Sequence, residues 1–324
     1  MEQKIGERQR WAWLTGGLSA AIGICGCGLG WLWVLAGGLV VGLYYIYMDR
    51  VLPSKGLAAI LPKIPAVLTI LWTVAAMAWS ANLADSAFPM VDGFPFLGWT
   101  ILALAAWGSW KGPAACARCA GVLCLFLFVL YGVVGAFAIP DAQADYLKPA
   151  GRWTDSLWTA GLFLLPAGVW YLPCGKNRKK PAWAVGLLLP LATAALAAVT
   201  AGVLSPLLAG SLTSPLYTLA QSVSLFGVVE RIEPLLSAAM TMGVFCLLSV
   251  MACACRALAD RLFPWKWSGA AACAVAATAM GAAGKLPLEA VTVGSLIVWV
   301  LLPVIFCRKN LKNRKKPVDK GGFN

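Results

Sequence analysis

Histidine is absent from all 324 residues. That removes the commonest general base and the commonest metal ligand. Charge is nearly as scarce. Asp, Glu, Lys and Arg make up 12% of the chain, about half of what a soluble domain carries. Paired cysteine motifs are lacking too. Cys116 and Cys119 form one CxxC, "CARC", with no second pair at matching spacing and no histidine to complete a zinc site. The remaining cysteines sit mostly inside apolar runs, where a thiol behaves as a small hydrophobe. No metal and no other cofactor is expected. A membrane-embedded enzyme would need His, Asp or Glu clustered at membrane depth, so catalysis is set aside as well.

What is present is apolar. Hydrophobic residues make up 60% of the chain, and the mean hydropathy is +0.79. A soluble core of this length has no room for so much apolar surface. The expected class is an all-α polytopic membrane protein with one integral domain over 1–307. The net charge of +13 does not point to nucleic acid, because the cations lie between apolar runs and in the tail "RKNLKNRKKPVDKGGFN". That tail, 308–324, reads as a cytoplasmic end touching anionic lipid. The opening "MEQKIGERQR" imitates a secretory signal, but the apolar run behind it continues to Met48 and reads as retained membrane structure.

A helix needs about 20 apolar residues to cross the bilayer core, and about 17 can suffice. Ten candidate spans follow: 11–27, 31–48, 64–84, 94–110, 119–139, 156–172, 182–204, 235–255, 268–284 and 290–307. "GCGLG" at 26–30 is the natural turn between the first two. With both termini cytoplasmic, 22 of the 26 Lys and Arg fall inside, as the positive-inside rule requires. Lys148, Arg152, Arg231 and Lys285 stay outside. Ten spans divide into five and five, and an odd half enters the membrane inverted. That parity permits an inverted repeat, the plan of many secondary transporters.

Between the seventh and eighth spans, Leu212, Leu216, Leu219, Val223 and Phe226 recur at helical spacing, with Ser, Thr and Gln on the other side. The pattern is an amphipathic helix, an outer lid over about 211–232. It ends in "VVERIEPLLSAAM". There Glu230, Arg231 and Glu233 form a solvated helix entrance, an ion-pair latch or, least favoured, an acid pair. Pro234 suits the first position of the eighth span.

This stretch carries a resemblance. "SPLYTLAQSVSLFGVVERIEPLL", with Pro215, Arg231, Ile232 and Glu233 in order, resembles the permease-like B subunits of spore germination receptors. "GLGWLWVLAGGLVVGLYYIYM" is similar to that family's second span. The resemblance implies an amino acid–polyamine–organocation fold of two inverted five-helix repeats, the LeuT-like arrangement. It implies a subunit of the cell membrane or spore inner membrane, both termini cytoplasmic, that binds a small germinant of the amino-acid kind. It also implies two other receptor subunits as partners, besides membrane lipid and no nucleic acid. The alternative is an amino-acid permease. The chain departs from the family in being short, and "SLWTAGLFLLPAGVWYL" lacks the acidic residue often found in its sixth span.

In inverted-repeat transporters the ligand lies near the midplane, beside broken first and sixth helices. Gly16, Gly17, Ser19 and Gly23 mark a candidate break in the first span, and Thr159, Gly161, Pro166 and Gly168 one in the sixth. Freed backbone there could hold a carboxylate without a basic side chain. The first-span glycines are equally read as packing, as is the Gly38–Gly42 pair. Ser80, beside Trp79 and Asn82, and Ser237 with Thr241 are weaker polar candidates, since such hydroxyls usually bond back to their own helix.

Overall fold

The computed structural model describes residues 5–24, 30–52, 55–87, 96–148, 151–175, 182–212, 214–222 and 233–314. These are mostly helical, as an apolar chain in lipid must be, because every unpaired backbone group in hydrocarbon costs several kcal/mol. In order the helices are α1 (Glu7–Ile24), α2 (Trp31–Val51), α3 (Lys63–Ala87), α4 (Phe96–Lys111), α5 (Pro113–Ala138), α6 (Thr154–Leu164) and α7 (Ala182–Leu204). Then come α8 (Pro206–Ser211), α9 (Pro215–Ser222), α10 (Glu233–Leu262), α11 (Ser268–Ala283), α12 (Leu288–Leu296) and α13 (Leu302–Arg314).

Among the described residues, six helical stretches are long and apolar enough to cross a bilayer: Trp31–Val51, Lys63–Asp85, Pro113–Asp141, Gly186–Leu204, Pro234–Leu262 and Leu288–Arg308. The chain is thus a multi-pass membrane protein. Four of the ten expected spans fall on shorter or interrupted helices. α4 and α11 have 16 residues each, α6 has 11, and α1 opens on Glu7, Arg8 and Arg10.

One small feature departs from an all-α plan. β1 (Ile5–Gly6) and β2 (Cys174–Gly175) pair in parallel, Ile5 opposite Cys174. Extended backbone on either side of a helix end satisfies its own polar groups this way. The pair ties the entrance of α1 to the segment that follows α6.

α10 is the central strut, packed against α1, α3, α4, α5 and α11. A second group is α2 with α6 and α7. The Gly38–Gly42 pair lets α2 approach α7, as a small-residue face should. Pro190 lies inside α7 and has no N–H for the carbonyl of Gly186. That carbonyl points at Gly42, where a Cβ would stand only 2.0 Å away. α4 and α5 are joined through Gly112 alone, at φ 109°, a conformation open to glycine. Pro113 then takes the first position of α5. The two groups meet where α1 packs against α6 and the segment that follows it.

The expected lid is partly described. In α9, Pro215, Leu216, Leu219 and Ala220 are buried while Gln221 and Ser222 face outward. The helix is amphipathic and packs on α1, α7 and α10. Glu230 and Arg231 lie outside the described residues. Glu233 begins α10, and its side chain is likewise outside the description.

Candidate functional site

The sixth span changes character where α6 ends, at Leu164. Pro166 has no N–H to give to Leu162, four residues back, so the α-helical pattern cannot continue. The N–H of Leu165 instead closes on Leu162 O, and the chain runs on as a 3-10 helix from Leu165 to Tyr171. Seven residues is long for this geometry, which rarely lasts beyond three or four and, within a helix, often marks a hinge. The whole stretch is buried. The Tyr45 hydroxyl donates to the Phe163 carbonyl at the change of helix type.

α1 lies against this irregular stretch, but it is not itself broken. It stays helical through Gly16, Gly17 and Ser19 to Ile24, so the expected unwinding of the first span is absent there. The glycines serve close approach instead. A Cβ on Gly17 would sit 3.0 Å from Pro166 Cβ and 3.4 Å from Leu247 Cα. On Gly16 it would meet Cys246 Sγ at 3.1 Å. Glycine costs a helix about 1 kcal/mol relative to alanine, and here contact with α6 and α10 offsets that. Trp13 fixes the pairing, donating its indole N–H to Cys246 O at 3.0 Å and Ser249 Oγ at 3.1 Å. Gly23 lies near the end of α1, and its surroundings are outside the description.

The other candidates divide. Gly161 faces α12 so closely that a Cβ would come within 2.2 Å of Thr292 Oγ1. Gly168 has looser neighbours, Ala254 Cβ and Val250 Cγ1 both 3.3 Å from a Cβ there. Thr159 Oγ1 donates to Asp155 O, 2.8 Å. Ser19 Oγ donates to Gly16 O, 2.7 Å. Ser237 and Thr241 donate to Pro234 O and Ser237 O at 3.3 and 2.8 Å. These four hydroxyls are spent on their own helices, as apolar surroundings favour. Ser80 differs: its Oγ is buried with no partner among the described residues. Gly16 and Ser19 also line an apolar cavity of about 790 Å³ between α1, α5 and α7.

Two features were not anticipated. The first is a π-helical stretch, Ile297–Leu301, between α12 and α13. Pro303 explains it. Its missing N–H leaves the Trp299 carbonyl unpaired in α register, and the Tyr44 hydroxyl donates to that oxygen. The Tyr171 hydroxyl donates to Val298 O, 3.2 Å. The irregular end of α6 and the π-helix are thereby joined. Nearby Thr292 Oγ1, Ser295 Oγ and Trp299 Nε1 are buried without partners among the described residues.

The second is a buried ion pair, Arg10 with Asp49, whose side chains are 3% and 15% exposed. The guanidinium lies 4.6 Å from the centroid of the Trp170 ring. Trp11 meets Trp170 edge to face at 5.8 Å, and Tyr45 packs on it at 5.7 Å. A charge taken out of water is tolerable only when paired and stacked in this way. The cluster ties the start of α1 to the end of α2 and to the 3-10 stretch. Nothing local in the sequence announces it, since its partners are 39 positions apart.

Among the described residues no group of three or more His, Cys, Asp or Glu converges to hold a metal ion. No protein-family model and no curated protein matches the chain. Among solved structures, a Na+-coupled sialic acid symporter in a substrate-bound, outward-open state is similar, with a TM-score of 0.48 and 11% identity over 92% of this chain and 75% of that one. Sodium and sialic acid are properties of that protein, and at this level of likeness they say nothing of this chain.

Proposed function

We propose that this chain is the membrane-embedded ligand-binding subunit of a spore germinant receptor. In this reading a small germinant of the amino-acid kind binds where the 3-10 end of α6 meets the glycine face of α1. Partner subunits read the resulting repacking. The observation that carries it is the seven-residue 3-10 continuation of α6, buried against Gly17 through Pro166. Irregular backbone at membrane depth survives only where protein or a cavity supports it, and it offers carbonyls and N–H groups to a zwitterion. The ten-span map, the two inverted five-helix halves and the cytoplasmic termini belong to the same reading. So does the lid of Pro215, Glu230, Arg231 and Glu233 over the outer end.

The ligand acts through differential affinity for two packings, since equal affinity would shift nothing. In this reading the contacts among Arg10, Asp49 and Trp170 hold one end of the bundle together in the resting receptor. An amino-acid permease is the second reading, and uptake separates the two. Purified protein in liposomes would accumulate labelled amino acid if it is a permease, and would bind without accumulating if it is a receptor. A ligand that binds only the folded chain raises its melting temperature with concentration. A melting screen against amino acids, sugars and nucleosides tests both readings. No shift with any compound refutes an autonomous site.

A further inference from the structure

At the end of the bundle where α2, α4 and α10 finish, a second cavity of about 670 Å³ is lined by Lys55, Lys111, Arg256 and Arg261. Asp260 is the single carboxylate in that lining. None of the four cations is ion-paired among the described residues. The two arginines are held in place by backbone. Arg256 donates to Ser109 O and Trp110 O, and Arg261 to Ala58 O and Leu61 O at 2.5 and 2.7 Å. Each uses only Nη1 for this, out of five guanidinium N–H donors. Gly112 and Pro113 add the start of the 26-residue α5, which has no side-chain cap. Pro113 has no N–H and those of Ala115 and Cys116 close on Gly112 O, so what this helix start offers an anion is mainly its partial positive charge. Like charges gathered round a cavity repel one another, and an anion between them relieves that cost.

The surroundings indicate where the anion comes from. Lys111 Nζ stands 4.7 Å from the Trp110 ring centroid and 5.7 Å from that of Trp107. Both rings are exposed, and Trp110 stacks on the exposed Trp267 at 5.3 Å. Exposed tryptophans ringing one end of a membrane bundle mark the level of the lipid headgroups. The same end carries the cation excess that the positive-inside rule assigns to the cytoplasm, where lipids are anionic. We propose that this cavity is a binding site for a phosphate group, carried by an anionic phospholipid of the cytoplasmic leaflet. The cavity shares Tyr171, the last residue of the 3-10 stretch, with the α1–α6 region, but neither Gly17 nor Pro166 lines it.

Lys55 and Lys111 accept substitution best, because both side chains are exposed. The test is titration of the full chain in detergent with short-chain phosphatidylglycerol or phosphatidylcholine, read by native mass spectrometry. Phosphatidylglycerol should bind in preference. The Lys55→Gln/Lys111→Gln variant should bind it roughly twenty- to thirtyfold more weakly. Lys55→Arg/Lys111→Arg should restore it, and Lys285→Gln, at the opposite end, should change nothing. Melting in phosphatidylcholine alone checks that each variant is folded. Glycerol 3-phosphate binding as tightly as the lipid would overturn the lipid source and leave a site for a soluble phosphate compound. No preference of the unaltered protein for phosphatidylglycerol, or an equal loss in Lys285→Gln, would overturn the site itself.

Discussion

Replacing Asp49 with Asn should destabilise the protein far more than removing the whole ion pair. The Arg10 side chain is 3% exposed, so its charge has no water to fall back on. Its Nε already lacks a partner among the described residues. Deleting one member of a buried pair costs about 3–5 kcal/mol, because the survivor is left uncompensated. Stacking on Trp170 at 4.6 Å is present with or without Asp49 and so does not replace the lost partner. Removing both charges, as in Arg10→Met/Asp49→Leu, deletes the desolvation cost along with the attraction and should be near neutral or stabilising, since apolar replacement of buried pairs often is. The assay is thermal unfolding in detergent of the unaltered protein, both single variants and the double variant. A burial this deep should also make the result insensitive to salt, unlike an exposed pair. The reasoning is refuted if Asp49→Asn melts with the unaltered protein, or if the double variant is the least stable of the set.

Further outcomes follow from individual positions. Gly42→Ala should destabilise by about 1–3 kcal/mol or more, because its Cβ would press to 2.0 Å on a backbone carbonyl that cannot swing away. Gly121→Ala in α5, with nothing within 4 Å, should stabilise by about 0.5–1 kcal/mol through helix propensity; unfolding midpoints of the two variants check both signs. Tyr44→Phe should cost about 1–3 kcal/mol by orphaning the Trp299 carbonyl. In a Pro303→Ala background the restored N–H takes over that oxygen, so the same change should be nearly silent, which a double-mutant cycle reads directly.

Helix positions were legible because lipid leaves an apolar chain so few options. Pro166 was legible for the same reason that Pro303 should have been: a missing N–H removes one backbone bond wherever it falls. The same local signal stands at Pro303, in "VLLPV", just after the π-helix. The glycines of α1 leave two readings open in the sequence, a break or close packing. Permissive backbone permits a break but does not require one, and contact with Pro166, Cys246 and Leu247 keeps that helix wound. Arg10 read as one of many flanking cations, since a sequence shows charge placement and not which charge the fold will bury. The basic cavity was similarly scattered, its cations drawn from a loop, the end of α4 and two turns of α10.

The central claim is a small-molecule site where α6 turns irregular beside α1. Its most direct test is calorimetric titration of the purified full chain, and of Pro166→Ala, with whichever amino acid gives the largest melting shift. Alanine returns an N–H at that position and favours continuous α-helix through the junction. The account predicts binding to the unaltered protein and a loss of at least tenfold in Pro166→Ala, with the variant still folded. Equal affinity in both proteins would contradict it and place the ligand elsewhere.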